Sequence, residues 1–311
     1  MKLRAAFERY WFVPTPARRL ALLRILTGGF ALGYLLFRFP SLTAVAHFER
    51  AQFVPTGLVS LLSEPLPSAV AIALVALTFL LAIPFVLGFR YRVIAPAFAL
   101  SFLWVTTYRS SWGMLFHTEN LLALHVLLLA AAPAADAYSL DARRAEPRTA
   151  PSGRYGWAGR AMSLTTALCY VLAGVAKLKL AGPVWLEGGL LRAQIAYDNL
   201  RKIEMGSSYS ALGAALVHYE APFFVLALMT VALELGAPLA LLGRRIALFW
   251  ALAAWSFHIG VQALMAIPFP YQLSFVAYAS LFEVERAYDF VAERVRRRLA
   301  RTEAQRGSST S

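Results

Sequence analysis

Residues 68–88 read SAVAIALVALTFLLAIPFVLG, 21 consecutive positions without an ionisable side chain. As a helix rising about 1.5 Å per residue, this run matches a hydrocarbon core about 30 Å thick, a length that a helix buried in a soluble core rarely needs. The stretch therefore reads as a membrane-crossing helix. Similar windows lie near 19–38, 93–107, 115–133, 161–180, 222–242, 246–267 and, in shorter form, 271–283. The expected fold class is all-α, a polytopic transmembrane bundle of about eight spans. Residues 1–18 form an interfacial N-terminal anchor, 19–283 the transmembrane domain and 284–311 a basic cytoplasmic tail whose last ten residues, TEAQRGSSTS, are expected to be disordered. No internal repeat or further domain boundary is visible.

The composition agrees. Of 311 residues, 59% are hydrophobic and 15% charged, with a mean hydropathy of +0.59, against roughly 25% charged residues in an ordinary soluble domain. A net charge of +13 raises the question of nucleic acid. The basic residues, however, sit in the connections between apolar runs and do not line one face with interleaved aromatics, so no nucleic-acid partner is expected. The single cysteine, Cys169, excludes an intramolecular disulfide and a cysteine metal site. At the N-terminus, Phe7, Tyr10, Trp11 and Phe12 interleave with Lys2, Arg4 and Arg9, a mixture suited to a helix lying on a membrane surface. The apolar run that follows is long and lacks a small-residue cleavage site, so it reads as a retained first span.

Charge sets the topology. Arg18 and Arg19 precede the first span, and Arg90 and Arg92 join the second and third. Arg143, Arg144, Arg148, Arg154 and Arg160 precede the fifth, Arg244 and Arg245 join the sixth and seventh, and Arg294, Arg296, Arg297, Arg298 and Arg301 follow the last. If the spans alternate, all five clusters fall on one side, and the positive-inside rule makes that side and both termini cytoplasmic in a multi-pass cell-membrane protein. The longest outside connection, 181–221, has amphipathic spacing around Leu190, Leu191, Ile195 and Leu200 and reads as an interfacial helix over the outer mouth.

Ionisable groups inside spans are costly, and each is a functional candidate. The topology places Lys177, His117, Asn120, His258 and Gln262 at a similar depth near the outer surface, on three different spans. Helical phase puts Tyr170, Ala173 and Gly174 over Lys177, places His117, Asn120 and Leu124 on one face, and groups Trp255, His258 and Gln262 on another. The small residues leave room for a ligand or a neighbouring helix. Two readings stand for Lys177: an ammonium that snorkels to the interface, or a functional group in a pocket. His125 reads as a core histidine with a partner, and His47 and His218 as loop or interface residues. Arg24 is expected to snorkel to the cytoplasmic headgroups. Glu234, beside Gly236 and Pro238, must pair with a buried cation or stay protonated. No metal site is expected, because His117 and His125 are eight apart and no H-x-x-x-H or H-E-x-x-H spacing occurs. Nucleophile-elbow, phosphate-loop and dinucleotide motifs are absent, and no transporter-type internal symmetry is visible.

Four strings carry a resemblance: 111-SWGMLFHTENLLALHVLLL-129, 138-YSLDA-142, 170-YVLAGVAKLKLAGPVWLEGG-189 and 255-WSFHIGVQ-262. In that order and spacing the chain resembles the HTTM (horizontally transferred transmembrane) family, the bacterial relatives of the transmembrane domain of vitamin K-dependent γ-glutamyl carboxylase. Y-x-x-A-G-x-x-K-L…W-x-x-G is the most specific piece. The resemblance implies a reduced, vitamin K-like quinone as cofactor, Lys177 as the base that starts its oxygenation, and His117 and His258 beside it. An apolar setting is what frees such a lysine to act as a base. Tyr170, Gly174, Asn120, Trp255 and Gln262 then line the cofactor pocket. The carboxylase carries a large lumenal region after its membrane domain, whereas this sequence runs about thirty residues past its last span, so no propeptide-gripping region is expected.

Three functions remain open from the sequence. One is a carboxylase-like lyase using a reduced quinone and acting on a secreted or membrane peptide. Another is a non-catalytic membrane helper in maturation or export of such a peptide. The third is a small-solute transporter.

Overall fold

The computed structural model describes residues 2–113, 118–144 and 150–308. His117 and Arg148 lie outside them. The chain is helical, and no β-strand occurs among the described residues; an isolated antiparallel bridge pairs Thr15 with Ser152. The helices are α1 (Lys2–Trp11), α2 (Ala17–Ala44), α3 (Ser68–Leu87), α4 (Tyr91–Arg109), α5 (Asn120–Ala130) and α6 (Gly156–Ala181). They continue with α7 (Gly189–Glu204), α8 (Ala211–Leu216), α9 (Ala221–Leu235), α10 (Arg244–Met265), α11 (Pro270–Leu273) and α12 (Val284–Ser308).

Four helical stretches among the described residues are long and apolar enough to cross a membrane: Ala17–His47, Ser68–Leu87, Gly153–Glu187 and Arg244–Met265. The expected span near 93–107 is the unbroken 19-residue α4, whereas three others are shorter or broken. α5 covers only Asn120–Ala130, and α9 stops at Leu235. Gly236 and Pro238 follow it, and the chain continues as a tighter 3-10 segment, Ala237–Leu241, as a proline without an N–H cannot extend an α-helix regularly. The window near 271–283 is likewise two short pieces, α11 and a 3-10 segment, Val276–Leu281. α12 extends as helix to Ser308, into the stretch expected to be disordered.

The core runs along α2. Leu20, Leu23, Ala31 and Leu35 are fully buried against α3, α4, α5 and α6. A seam of rings passes from Phe85 to Phe98 to Phe102 to Tyr34, with centroid separations of 4.9, 5.7 and 5.9 Å. At Gly28 a Cβ would lie 2.8 Å from the Phe85 ring, so this glycine permits the close approach of α2 and α3. The outward faces are equally apolar: Leu80, Leu100, Leu172, Met229 and Phe249 are all more than half exposed. So much apolar surface on every side suits lipid and not water.

The basic clusters gather at one end of the bundle. Arg19, Arg160 and Arg244 border one cleft together with Glu283. Arg19 also pairs with Glu283 and Glu285 at the start of α12, and Arg18 with Asp289. Asp141 accepts from the backbone N–H groups of Arg90 and Tyr91, capping α4. Arg24 departs from expectation. It is fully buried, donating through Nη1 to the Ala134 carbonyl at 2.8 Å and through Nη2 to the Tyr138 carbonyl at 2.5 Å. Carbonyls beyond the end of α5 need donors, and the guanidinium fork supplies two at once, which outweighs snorkelling.

At the opposite end, α7 and α8 close over the end of α10. Leu191 and Ile195 pack inward, but Leu200 is 55% exposed while Asp198 and Asn199 are buried. The buried face thus differs from the apolar pattern. Asn199 donates to the Leu264 carbonyl, Ser210 to that of Ala263, and Lys202 to that of Met265. The last turn of α10 leaves these carbonyls without helical partners, so polar side chains of α7 and α8 are drawn in to satisfy them.

Candidate functional site

The inward face of α6 carries polar residues along its length. Near the basic end, Ser163 donates to Ser280 Oγ. One turn further, Thr166 Oγ1 lies 3.1 Å from Nε2 of His125, whose Nδ1 lies 2.8 Å from Tyr271 Oη. His125 is fully buried with both nitrogens partnered, as expected of a core histidine. Next comes Tyr170, whose hydroxyl lies 2.7 Å from His258 Nε2 on α10 and 2.7 Å from Tyr278 Oη. The Tyr170 ring meets Trp250 edge-on at 4.9 Å.

Lys177 lies four residues before the end of α6, roughly 6 Å of rise. Its Nζ donates to Glu234 Oε1 of α9 at 2.6 Å, and Glu234 is 3% exposed. Gly174, between Tyr170 and Lys177 on this face, lets α9 approach: a Cβ there would sit 3.1 Å from Glu234 Cβ and 3.0 Å from Leu235. The Lys177 ammonium also stands 5.6 Å from the centre of the Trp185 ring. Trp185 is positioned by Gly188, which adopts φ +81 and whose Cβ would meet the Phe223 backbone at 2.4 Å. The tryptophan and glycine of the W-x-x-G string thus pack the segment after α6 onto α9.

Three buried polar atoms in this region have no partner among the described residues: Glu234 Oε2, Trp185 Nε1 and His258 Nδ1. A native interior satisfies most such groups, so these three atoms leave hydrogen-bonding capacity unused beside the Lys177–Glu234 and Tyr170–His258 contacts. An acceptor and a donor beside an ammonium suit a small hydroxylated molecule.

Of the residues singled out from sequence, Lys177, Gly174, Tyr170 and His258 share one seam between α6, α9 and α10. Trp255 is half-buried and donates to the Leu273 carbonyl at 2.9 Å. Asn120 and Gln262 are exposed. Near Asn120, Glu119 forms a buried ion pair with Arg109 at 2.8 Å, and Arg109 also donates to Tyr34 Oη at 3.1 Å. Tyr278 and Trp185 were not anticipated as site residues. Glu234 was anticipated only as a buried acid needing a partner, and the lysine it required lies 57 residues earlier. Beyond Trp250, a cavity of about 540 Å³ lies between α7, α9 and α10, walled by Leu226, Met229, Phe249, Trp250 and Phe257. Lys177, Glu234 and His258 are not among its walls.

The HTTM domain family model matches residues 12–284, nearly the whole helical bundle. The chain belongs to the HTTM family. No curated protein and no solved structure matches it. Membership of the HTTM family and the apolar helices together make this a membrane protein. Among the described residues of this HTTM protein no three His, Cys, Asp or Glu side chains converge as a metal site would require.

Proposed function

We propose that this HTTM protein is a carboxylase-like membrane enzyme that binds a reduced quinone at the end of α6, with Lys177 as its base. The observation that carries this reading is the Lys177–Glu234 pair, in which one carboxylate oxygen holds the ammonium and the other, buried, is left without a partner. Such a pair is neutral overall whichever atom holds the shared proton. With that proton passed to Glu234, Lys177 would be an amine able to accept one from a bound hydroxyl. The unpartnered Glu234 Oε2 and Trp185 Nε1 fit the hydroxyls of a hydroquinone ring: the first accepts its hydrogen, the second donates to its oxygen. Trp185, 5.6 Å from the Lys177 ammonium, offers aromatic surface to the ring's apolar body. Tyr170, its hydroxyl shared with Tyr278, fixes His258 through Nε2 and leaves Nδ1 to polarise a bound group. Deprotonated hydroquinone, when bound, supplies an oxygen-reactive anion and through it the strong base needed to take a proton from a glutamate side chain of a peptide partner.

The same reading takes the shorter helices as completing about eight crossings, with the basic end and both termini in the cytoplasm of a bacterial cell and α7 lying at the outer interface. α1, with exposed Phe7 on it and exposed Phe12 just after it, anchors at the inner one.

Oxygen uptake by protein in lipid nanodiscs, supplied with a soluble naphthohydroquinone, tests the proposal. Uptake above the protein-free rate is expected, lost in both Lys177→Ala and Lys177→Arg, because a guanidinium stays protonated and cannot serve as a base. Undiminished uptake in Lys177→Arg, at normal membrane yield, would remove Lys177 from that role. No uptake by the unmodified protein would return the chain to the non-catalytic helper or transporter readings.

A further inference from the structure

We infer that α12 is a docking helix for an anionic lipid surface. Its first turns are held to the bundle by its acidic face: Glu285 pairs with Arg19 and Asp289 with Arg18, both on the opening turn of α2. This places the start of α12 where the first long apolar helix enters the membrane. A second face is apolar and about half exposed, although the Tyr288 ring meets that of Tyr138 at 5.7 Å. Tyr288, Val291 and Val295 share one side at helical spacing, and they are 48%, 57% and 50% exposed. Phe290, also 57% exposed, lies under the Arg294 guanidinium at 4.5 Å.

Basic side chains border the stripe. Arg294 and Arg296 are exposed, whereas the three acids of this stretch are committed to cations: Glu285 and Asp289 to α2, and Glu293 to Arg297. Arginines beside an apolar stripe match the boundary between headgroups and acyl chains, where the stems bury and the heads meet phosphate. A protein partner would need roughly 800 Å² on each side for a stable interface, more than three side chains and a ring offer. A lipid surface has no such minimum, and every arginine near anionic headgroups strengthens attachment by about fivefold.

The test uses the full chain with Cys169→Ser and Val295→Cys, the new thiol carrying an environment-sensitive fluorophore. Nanodiscs of phosphatidylcholine alone are compared with discs containing one-third phosphatidylglycerol. The anionic discs should give blue-shifted emission that lipid-borne nitroxides quench. Arg294→Gln with Arg296→Gln should lower the ratio of attached to free α12 at least tenfold, and high salt should reverse attachment as the screening length shrinks to about 3 Å. Both arginines are exposed, so these variants keep the fold. Water-like emission in both disc types would overturn the proposal. So would equal attachment to both, insensitive to the arginines, which would leave only apolar contact.

Discussion

The Lys177 ammonium and the Glu234 carboxylate meet at 2.6 Å across α6 and α9, and each is the other's only ion-pair partner among the described residues. Taking both charges out of water is costly, and their attraction repays the cost only while both are present. Glu234→Leu alone should therefore lower stability by about 3 kcal/mol, the lower end of the range for breaking a buried pair, since 23% of the Lys177 side chain stays exposed. Glu234→Leu with Lys177→Met should recover most of that loss. Thermal unfolding in detergent checks it. A double variant no better than the single would show that the two groups act independently.

Arg24 supplies a second check. Arg24→Met leaves the Ala134 and Tyr138 carbonyls without their donor inside the bundle. A hydrogen bond from a charged donor is worth about 1.5–3 kcal/mol, so the variant should lose at least about 2 kcal/mol. Arg24→Lys should restore only part of it, because a single ammonium cannot reproduce the fork. Full stability in the methionine variant would show the contacts to be incidental.

The order of helices was legible in the sequence because apolar length and charge spacing decide it locally. Basic clusters predicted one common end, and Arg19, Arg160 and Arg244 do meet there. Tyr170, Gly174 and Lys177 were readable as one face since phase along a single helix is fixed by 100° steps. What a single helix does not contain is the rotation of its neighbour. That Glu234 faces Lys177, or that Tyr278 completes the Tyr170–His258 contact, depends on how α9 and the segment after α11 turn about their own axes. The exposed Gln262 makes the same point, since sharing a helical side with His258 did not bring it into the seam. α7 misled for another reason: the unpaired carbonyls of α10 drew in Asn199 and Lys202, and Asp198 is buried with its Lys202 partner, in place of Leu200.

Gly188 should tolerate no side chain. Its φ of +81 is strained for any L residue, and a Cβ would fall 2.4 Å from the Phe223 backbone, which cannot yield as a flexible side chain would. Gly188→Ala should cost about 3 kcal/mol. It should also shift Trp185, read as a change in tryptophan emission, because the displaced segment packs directly on α9. Unchanged stability and emission would mean that this turn moves freely.

Acid should loosen α12. Burial alone would raise the Glu285 carboxyl, but the hydrogen bonds and charge of Arg19 outweigh it and hold the group below its ordinary value of 4.5. A depressed folded-state value means that the contact stabilises fully above the unfolded value and is lost as pH falls through the folded one. Between pH 7 and 5 the start of α12 should stay protected from hydrogen exchange. Protection should fall below about pH 4.5, after correction for intrinsic rates. Glu285→Gln should show weakened protection at pH 7 and a smaller change on acidification. An identical pH response in that variant would assign the effect to other carboxylates.

Tyr170 is the residue on which the seam between α6 and α10 depends most, and the ranking of three substitutions exposes this. Its hydroxyl is shared by His258 Nε2 and Tyr278 Oη, each at 2.7 Å. Tyr170→Phe keeps the ring against Trp250 but strands two buried polar groups at once. His258 is already without a partner at Nδ1, so losing Nε2 as well leaves its imidazole wholly unsatisfied. At about 1–3 kcal/mol for each stranded group, Tyr170→Phe should cost about 2–6 kcal/mol. Tyr278→Phe should cost less, because the Tyr170–His258 contact survives. Tyr170→Phe with His258→Leu should be less damaging than Tyr170→Phe alone, since removing both partners avoids burying an unmatched one. Thermal unfolding of the three variants at one pH gives the order. If Tyr278→Phe proved as costly as Tyr170→Phe, the tyrosine pair and not the histidine contact would hold α6 to its neighbours, and His258 would lose the orientation on which its proposed role rests.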